Sequence, residues 1–122
     1  MQKKLSPEVS VIVVSYNTSA ITQKCLAHVF RQKGVNFEVI VVDNGSSDDS
    51  VSVIRKNFPK AKLIKNPVNL GLTHATNQAE KIAQGDYLLS LNSDAFLQPQ
   101  SLKRMVGFAK NISVVLLPKN QV

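Results

Sequence analysis

The sequence predicts an α/β protein, a Rossmann-like three-layer α/β/α arrangement on a mostly parallel sheet. Three observations carry that expectation. Val9–Val14 and Phe37–Val42 are nearly continuous in β-branched residues, the composition of strands buried on both faces. Between such runs apolar residues recur at helical spacing, and alternating β and α segments imply parallel strands with right-handed crossovers. Each apolar run also ends in a polar turn, and open α/β sheets bind ligands at the carboxyl ends of their strands.

The elements follow in order. After Pro7, the strand Val9–Val14 stops at the polar turn Ser15-Tyr16-Asn17-Thr18-Ser19, which can cap a helix. Ile21, Cys25, Leu26, Val29 and Phe30 then fall at helical spacing, and Gly34 suits the helix stop. The second strand, Phe37–Val42, runs into Asp43-Asn44-Gly45-Ser46-Ser47-Asp48-Asp49. Ser47 is expected to cap the next helix, with Asp48 and Asp49 at the positive end of its dipole. Val51, Ile54 and Phe58 mark that helix's buried stripe, and Pro59 ends it. A shorter strand is expected over Ala61–Lys65, with Asn66-Pro67 as a turn. The third helix starts near Gly71, with Leu72, Ala75, Ala79, Ile82 and Ala83 on one face and Gly85 as its stop. Tyr87–Leu91 is the next strand and ends in Asn92-Ser93-Asp94. Pro99 precedes a fourth helix marked by Leu102, Met105, Val106 and Ala109, and Val114–Leu117 reads as a last short strand.

A chain of 122 residues fits one domain with a real core, and residues 1–122 are read as one unit. The 15 Lys and Arg against 8 Asp and Glu give a net charge of +7, which favours anionic partners. Nucleic acid, an acidic membrane surface and a small phosphorylated ligand all fit that sign. The basic residues are spread, without the aromatic signature or zinc-finger spacing of a nucleic-acid module, so no nucleic-acid partner is expected. The single cysteine, Cys25, excludes an internal disulfide and reads as a small core residue. No apolar run approaches the ~18 residues of a membrane span. Lys3 and Lys4 precede a segment too short and too interrupted for a signal peptide. The expected location is cytoplasmic, with contact at the inner face of a membrane.

Familiar sites are absent. The chain lacks GxGxxG, GxxxxGK[ST], HExxH and GxSxG patterns. His28 falls beside the first helix's apolar stripe and reads as structural, and His74 reads as an exposed helix position. What remains is three polar tips on one sheet edge: Ser15-Tyr16-Asn17, Asp43-Asn44-Gly45-Ser46 and Asn92-Ser93-Asp94, with Asn69-Leu70-Gly71 nearby. Two readings stand side by side for them. Asn and Asp make Asx-type turns at strand ends by themselves, and a lone carboxylate at such an edge is also a candidate metal or phosphate-side ligand.

The runs Val9–Asn17, Glu38–Asp48, Asn66–Gly71 and Gly85–Asp94, in that order, resemble the nucleotide-binding half of a family 2 inverting glycosyltransferase. The likeness is to its bacterial rhamnosyltransferase-like members and covers essentially the whole chain. It implies the N-terminal half of a GT-A fold and a nucleotide-diphosphate sugar donor. By position it places Tyr16 and Asn17 in the nucleoside pocket, Asp43 on the base or ribose, and Asn69 and Gly71 beside the nucleotide. Asn92 and Ser93 occupy the first places of the family's DxD signature, and Asp94 becomes the ligand of Mg²⁺ or Mn²⁺. Two departures stand out: a neutral Asn92 at the first DxD position, and Thr76 where other branches carry an Arg near the phosphates.

An inverting transferase also needs a general base for the acceptor hydroxyl, and no Asp or Glu follows Asp94. The chain is therefore read as the donor-binding portion, the acceptor and catalytic half lying outside it. The expected acceptor is a glycan or lipid-linked sugar, and a homodimer is one expected assembly. The alternatives are a non-catalytic nucleotide-binding module and a sugar nucleotidyltransferase. The latter wants a Gly-rich basic loop after the first strand, where Ser15–Ser19 has neither feature.

Overall fold

The structure, a computed structural model, describes residues 6–112 and 117–118. Strands β1 (Val9–Ser15), β2 (Phe37–Asp43), β3 (Lys62–Lys65), β4 (Tyr87–Asn92) and β5 (Leu117–Pro118) alternate with α1 (Ser19–Phe30), α2 (Ser50–Asn57), α3 (Leu72–Ile82) and α4 (Ser101–Ile112). The five strands form one sheet in the order β3-β2-β1-β4-β5. The first four are parallel, with Val9 opposite both Phe37 and Tyr87, and β5 joins β4 antiparallel through Leu88 and Leu117. The mostly parallel three-layer expectation holds. The expected strand at Val114–Leu117 is met only at Leu117, because residues 113–116 lie outside the described residues.

Alternation along β1 and β2 divides the core between two faces. Val9, Val11, Val13, Val39 and Val41 pack under α1, α2 and α4, against Cys25, Leu26, Val29, Ile54, Leu102 and Val106. Ile12, Ile40 and Val42 point the other way, onto Ala75, Ala79 and Ala83. That second face is lined by alanines, so α3 lies close on the sheet. His28 stacks on Phe96 with ring centroids 5.3 Å apart, the structural role its position suggested.

Several expectations are corrected. Ile21 and Leu72, placed on buried stripes by spacing, are 44% and 64% exposed, because each opens its helix and overhangs the sheet edge. Ile82 is likewise exposed, and Thr22 takes the buried place near the start of α1. Ser47 does not cap α2. The helix begins at Ser50, and the Ser50 N–H donates to Asp48 Oδ1 at 3.0 Å. Gly34 lies beyond the end of α1, whose last turn closes at Arg31. Gly85 is a packing glycine rather than a helix stop. A Cβ there would sit 2.6 Å from the Ser10 nitrogen, so only Gly lets the chain enter β4 against β1.

Candidate functional site

At the carboxyl ends of β1 and β2 the two loops are joined by side-chain to backbone bonds. Asn17, in the left-handed region at φ 52°, donates its N–H to Ser46 Oγ, and its amide oxygen accepts the Ser47 N–H at 2.7 Å. Asp43 is fully buried, and its two carboxylate oxygens accept from the N–H and hydroxyl of Ser46, at 2.9 and 2.7 Å. This Asx-type turn holds the loop. In this structure the Asp43 carboxylate, placed by the resemblance on a base or ribose, is bonded to Ser46.

A second set of bonds ties the segment between β3 and α3 to the end of β2. Asn44, 2% exposed, donates from Nδ2 to Asn69 Oδ1 and to the Gly71 carbonyl. Its Oδ1 accepts from Asn66 Nδ2 and from the Leu70 N–H, each at 3.1 Å. Asn66 and Gln78 exchange reciprocal amide bonds of 2.8 and 2.9 Å, which fixes the segment to α3. Asn69 Oδ1 also accepts the Gly71 N–H. Asn69 and Gly71 are thus brought to the edge, with the Asn69 amide oxygen engaged by the loop itself. Gly45 makes the approach possible, since a Cβ there would lie 2.7 Å from backbone atoms of Val68. From the sequence, Asn44 is part of a polar tip and Asn66 a turn residue in one of the runs that carry the resemblance, while Gln78 has no role.

Between β1, β4, α1 and α3 lies an open cleft of about 380 Å³. Asn92, Ser93 and Asp94 form its polar wall, and Val14, Ile21 and Leu72 its apolar one. The overhanging Ile21 and Leu72 are cleft residues, which explains their exposure. Of the predicted site residues, Asn92, Ser93 and Asp94 meet in this cleft, while Tyr16, Asn17, Asp43, Asn69 and Gly71 surround the edge without lining it. Tyr16 is 47% exposed, and its ring is free to meet a ligand.

Asp94 is the cleft's carboxylate. Among the described residues no group of three His, Cys, Asp or Glu side chains gathers as a metal cage. The donors present are the Asp94 carboxylate, the Asn92 amide and the Ser93 hydroxyl. Such an all-oxygen set fits a hard cation that takes its other ligands from water and phosphate. Behind the cleft, the Cys25 thiol points at the Asn92 carbonyl, 3.7 Å away. Burial, and then the negative charge of Asp94, push its pKa up to about 11, so the thiol stays protonated and unreactive at neutral pH.

A parallel sheet with polar loops converging on an open cleft at its carboxyl edge defines the class: an open α/β protein with its cleft at the strand ends, where such sheets carry their ligand sites. The particular family follows from comparison. Residues 10–118 match the Glycosyl transferase family 2 model, and the chain belongs to that family. The poly(ribitol-phosphate) beta-glucosyltransferase of Bacillus spizizenii is 31% identical over 119 residues, covering 92% of this chain and 19% of the relative. S. aureus TarS 1-349, solved in complex with UDP-GlcNAc, superposes with a TM-score of 0.76 at 29% identity, over 84% of this chain and 31% of that one. The mannosyltransferase PcManGT from Pyrobaculum calidifontis, solved in complex with GDP-Man and Mn2+, gives a TM-score of 0.80 at 27% identity, over 90% and 34%. These neighbours are GT-A glycosyltransferases, and the sheet described above is that fold. Among the curated relatives the chain spans from 10% to 47% of their length.

Proposed function

We propose that this chain binds a nucleotide-diphosphate sugar at the carboxyl edge and presents it for transfer, with inversion, to a glycan or lipid-linked acceptor. The observation that carries the reading is the cleft in which Asn92, Ser93 and Asp94 face the overhanging Ile21 and Leu72. Neighbours solved with UDP-GlcNAc and with GDP-Man and Mn2+ support it. Asp94 is the metal-side ligand, and Asn92 and Ser93 orient the diphosphate. Tyr16 and Asn17 line the nucleoside pocket, Asp43 bonds the base or ribose, and Asn69 and Gly71 lie beside the nucleotide. Bound there, Mg²⁺ or Mn²⁺ offsets the negative charge that the diphosphate gains on leaving. An acceptor hydroxyl needs a general base. No carboxylate follows Asp94 in the sequence, so residues 1–122 serve as the donor half and do not turn over alone.

The test is a calorimetric titration of the chain with UDP and with GDP, each with and without Mn²⁺. Metal-dependent binding that disappears in Asp94→Ala is the expected result. Binding indifferent to both Mn²⁺ and Asp94 would leave a nucleotide module without diphosphate–metal chemistry. Robust sugar transfer by the isolated chain would overturn its assignment as a donor half.

A further inference from the structure

The layer formed by α1, α2 and α4 differs in charge from everything else in the molecule. From Ser19 to Phe37, from Ser50 to Ala61 and from Ala95 onward the sequence contains no Asp or Glu. Yet α1 and its following turn expose Lys24, Arg31 and Lys33. The α2 helix and its turn expose Arg55, Lys56 and Lys60, and α4 exposes Lys103 and Arg104. All eight carboxylates of the chain lie on the strands, the carboxyl-edge loops, the N-terminal lead or the α3 side. Glu8 and Asp86 flank the strand starts, and Glu38 is paired with Lys62.

Helix chemistry explains part of this. Arg31, Arg55 and Lys56 sit at helix C-termini, where the dipole favours cations. Lys103 and Arg104 occupy the first turn of α4, where the dipole opposes them and no acidic residue balances them. The Lys103 side chain lies against Gly34, which brings the start of α4 up to the end of α1. Buried Gln32 joins the same two ends, donating to the Gln98 carbonyl and accepting the Leu102 N–H. The cations of α1 and α4 therefore share one surface.

That surface is also apolar in part. An open pocket of about 330 Å³ lies between the ends of α1 and α2, lined by Phe30, Phe58 and Pro59 together with Arg31 and Lys60. On α4, Phe108 is 50% exposed one turn beyond Arg104, on the same helix face. Cations beside exposed apolar groups match the headgroup and upper acyl region of an anionic bilayer. Single-stranded nucleic acid would want free aromatic faces among the cations, whereas Phe30 and Phe58 stack on each other with centroids 5.8 Å apart.

We propose that the α2–α1–α4 face docks on an anionic lipid surface, while the cleft at the carboxyl edge stays in the aqueous phase. This inference is independent of the donor reading, since none of these cations lines the cleft. Its test is co-sedimentation of the full chain with vesicles of phosphatidylcholine alone and of phosphatidylcholine mixed equally with phosphatidylglycerol. Binding only to the anionic vesicles, weakened as salt shortens the screening length, is expected. Arg31→Glu with Lys60→Glu should lower that affinity at least about tenfold. The charge-matched control, Lys65→Glu with Lys81→Glu, should leave it within about twofold. Circular dichroism melts report whether each variant folds; should the glutamate pair fail, Arg31→Gln with Lys60→Gln and the salt series on the unmodified chain carry the test. Equal binding to neutral vesicles, no binding, an equal loss in the control, or tighter binding of a single-stranded RNA at the same salt would each overturn the proposal.

Discussion

The two ends of the sheet are tied together by different chemistry. Between β3 and α3, at the carboxyl edge, the ties are neutral amides: Asn44, Asn66, Asn69 and Gln78 bond one another and the backbone around Leu70 and Gly71. At the amino edge the tie is charged. Glu38 accepts from Ser10 Oγ, from the Gln84 N–H and from Lys62 Nζ, and Ser10 Oγ in turn accepts the Gly85 N–H. Burial raises the pKa of Glu38, but the hydrogen bonds from Gln84, Lys62 and Ser10 outweigh it and hold the carboxyl below its ordinary value. The Leu70–Gly71 segment is thus held by groups that do not titrate and the far end by one that does, while the loops after β1 and β2 are held by the Asp43 and Asp48 carboxylates. A segment held by amides keeps its shape across pH, since their bonds do not depend on protonation.

The largest effect expected along this comparison is at Asn44. Asn44→Ala removes four hydrogen bonds from a buried position and leaves the Leu70 N–H and Asn66 amide without their acceptor. A loss of about 3 kcal/mol in chemical denaturation is expected, nearly equal at neutral and at acid pH. Amide exchange at Leu70 and Gly71 should accelerate, because their loop loses its anchor. A loss that changes strongly with pH would break the contrast between the two ends.

Next comes Gly85→Ala, whose Cβ would meet the Ser10 nitrogen at 2.6 Å and the Val9 carbonyl carbon at 2.7 Å. Both are backbone atoms in the central strand, so about 2 kcal/mol of destabilisation is expected by thermal melting. Glu38→Gln should cost about 1 kcal/mol at neutral pH, the side chain being 11% exposed and its partner Lys62 45%. The sign with pH follows from the lowered pKa. The contribution is complete above the ordinary value of 4.5 and is lost as pH falls through the depressed folded value. The difference between Glu38→Gln and the unmodified protein should therefore vanish in acid, and a difference that persisted there would show that Glu38 acts by packing alone.

The smallest effect on stability belongs to Asp94→Ala. Its side chain is exposed and makes no hydrogen bond among the described residues, so the melting curve should move by less than about 0.5 kcal/mol. If stability fell as it does for Asn44→Ala, Asp94 would belong to the scaffold rather than to the cleft.

Much of this was legible from residue order. The strand starts Val9, Phe37 and Tyr87 were placed by their apolar runs, and the helix limits near Ser19 and Gly71 by turn residues. Periodicity failed at Ile21 and Leu72, because spacing reports a helix face but not how far the helix extends past the sheet beneath it. It also gave Gln78 no role and Asn44 no partner. The partners of these amides lie 12 to 27 residues away along the chain, and nothing local announces them.

By itself, then, the sequence determined the alternating α/β order, the parallel core of valines and isoleucines, and the polar tips that end in Asp94. These follow from local patterns of burial and turn chemistry, which neighbouring residues specify. Only the tertiary structure decided which tips line the open cleft and which bond each other. It opened the cleft between Asp94 and Leu72 and gathered on one helical layer cations that are scattered along the chain. Those outcomes depend on contacts between distant segments, and packing alone sets them.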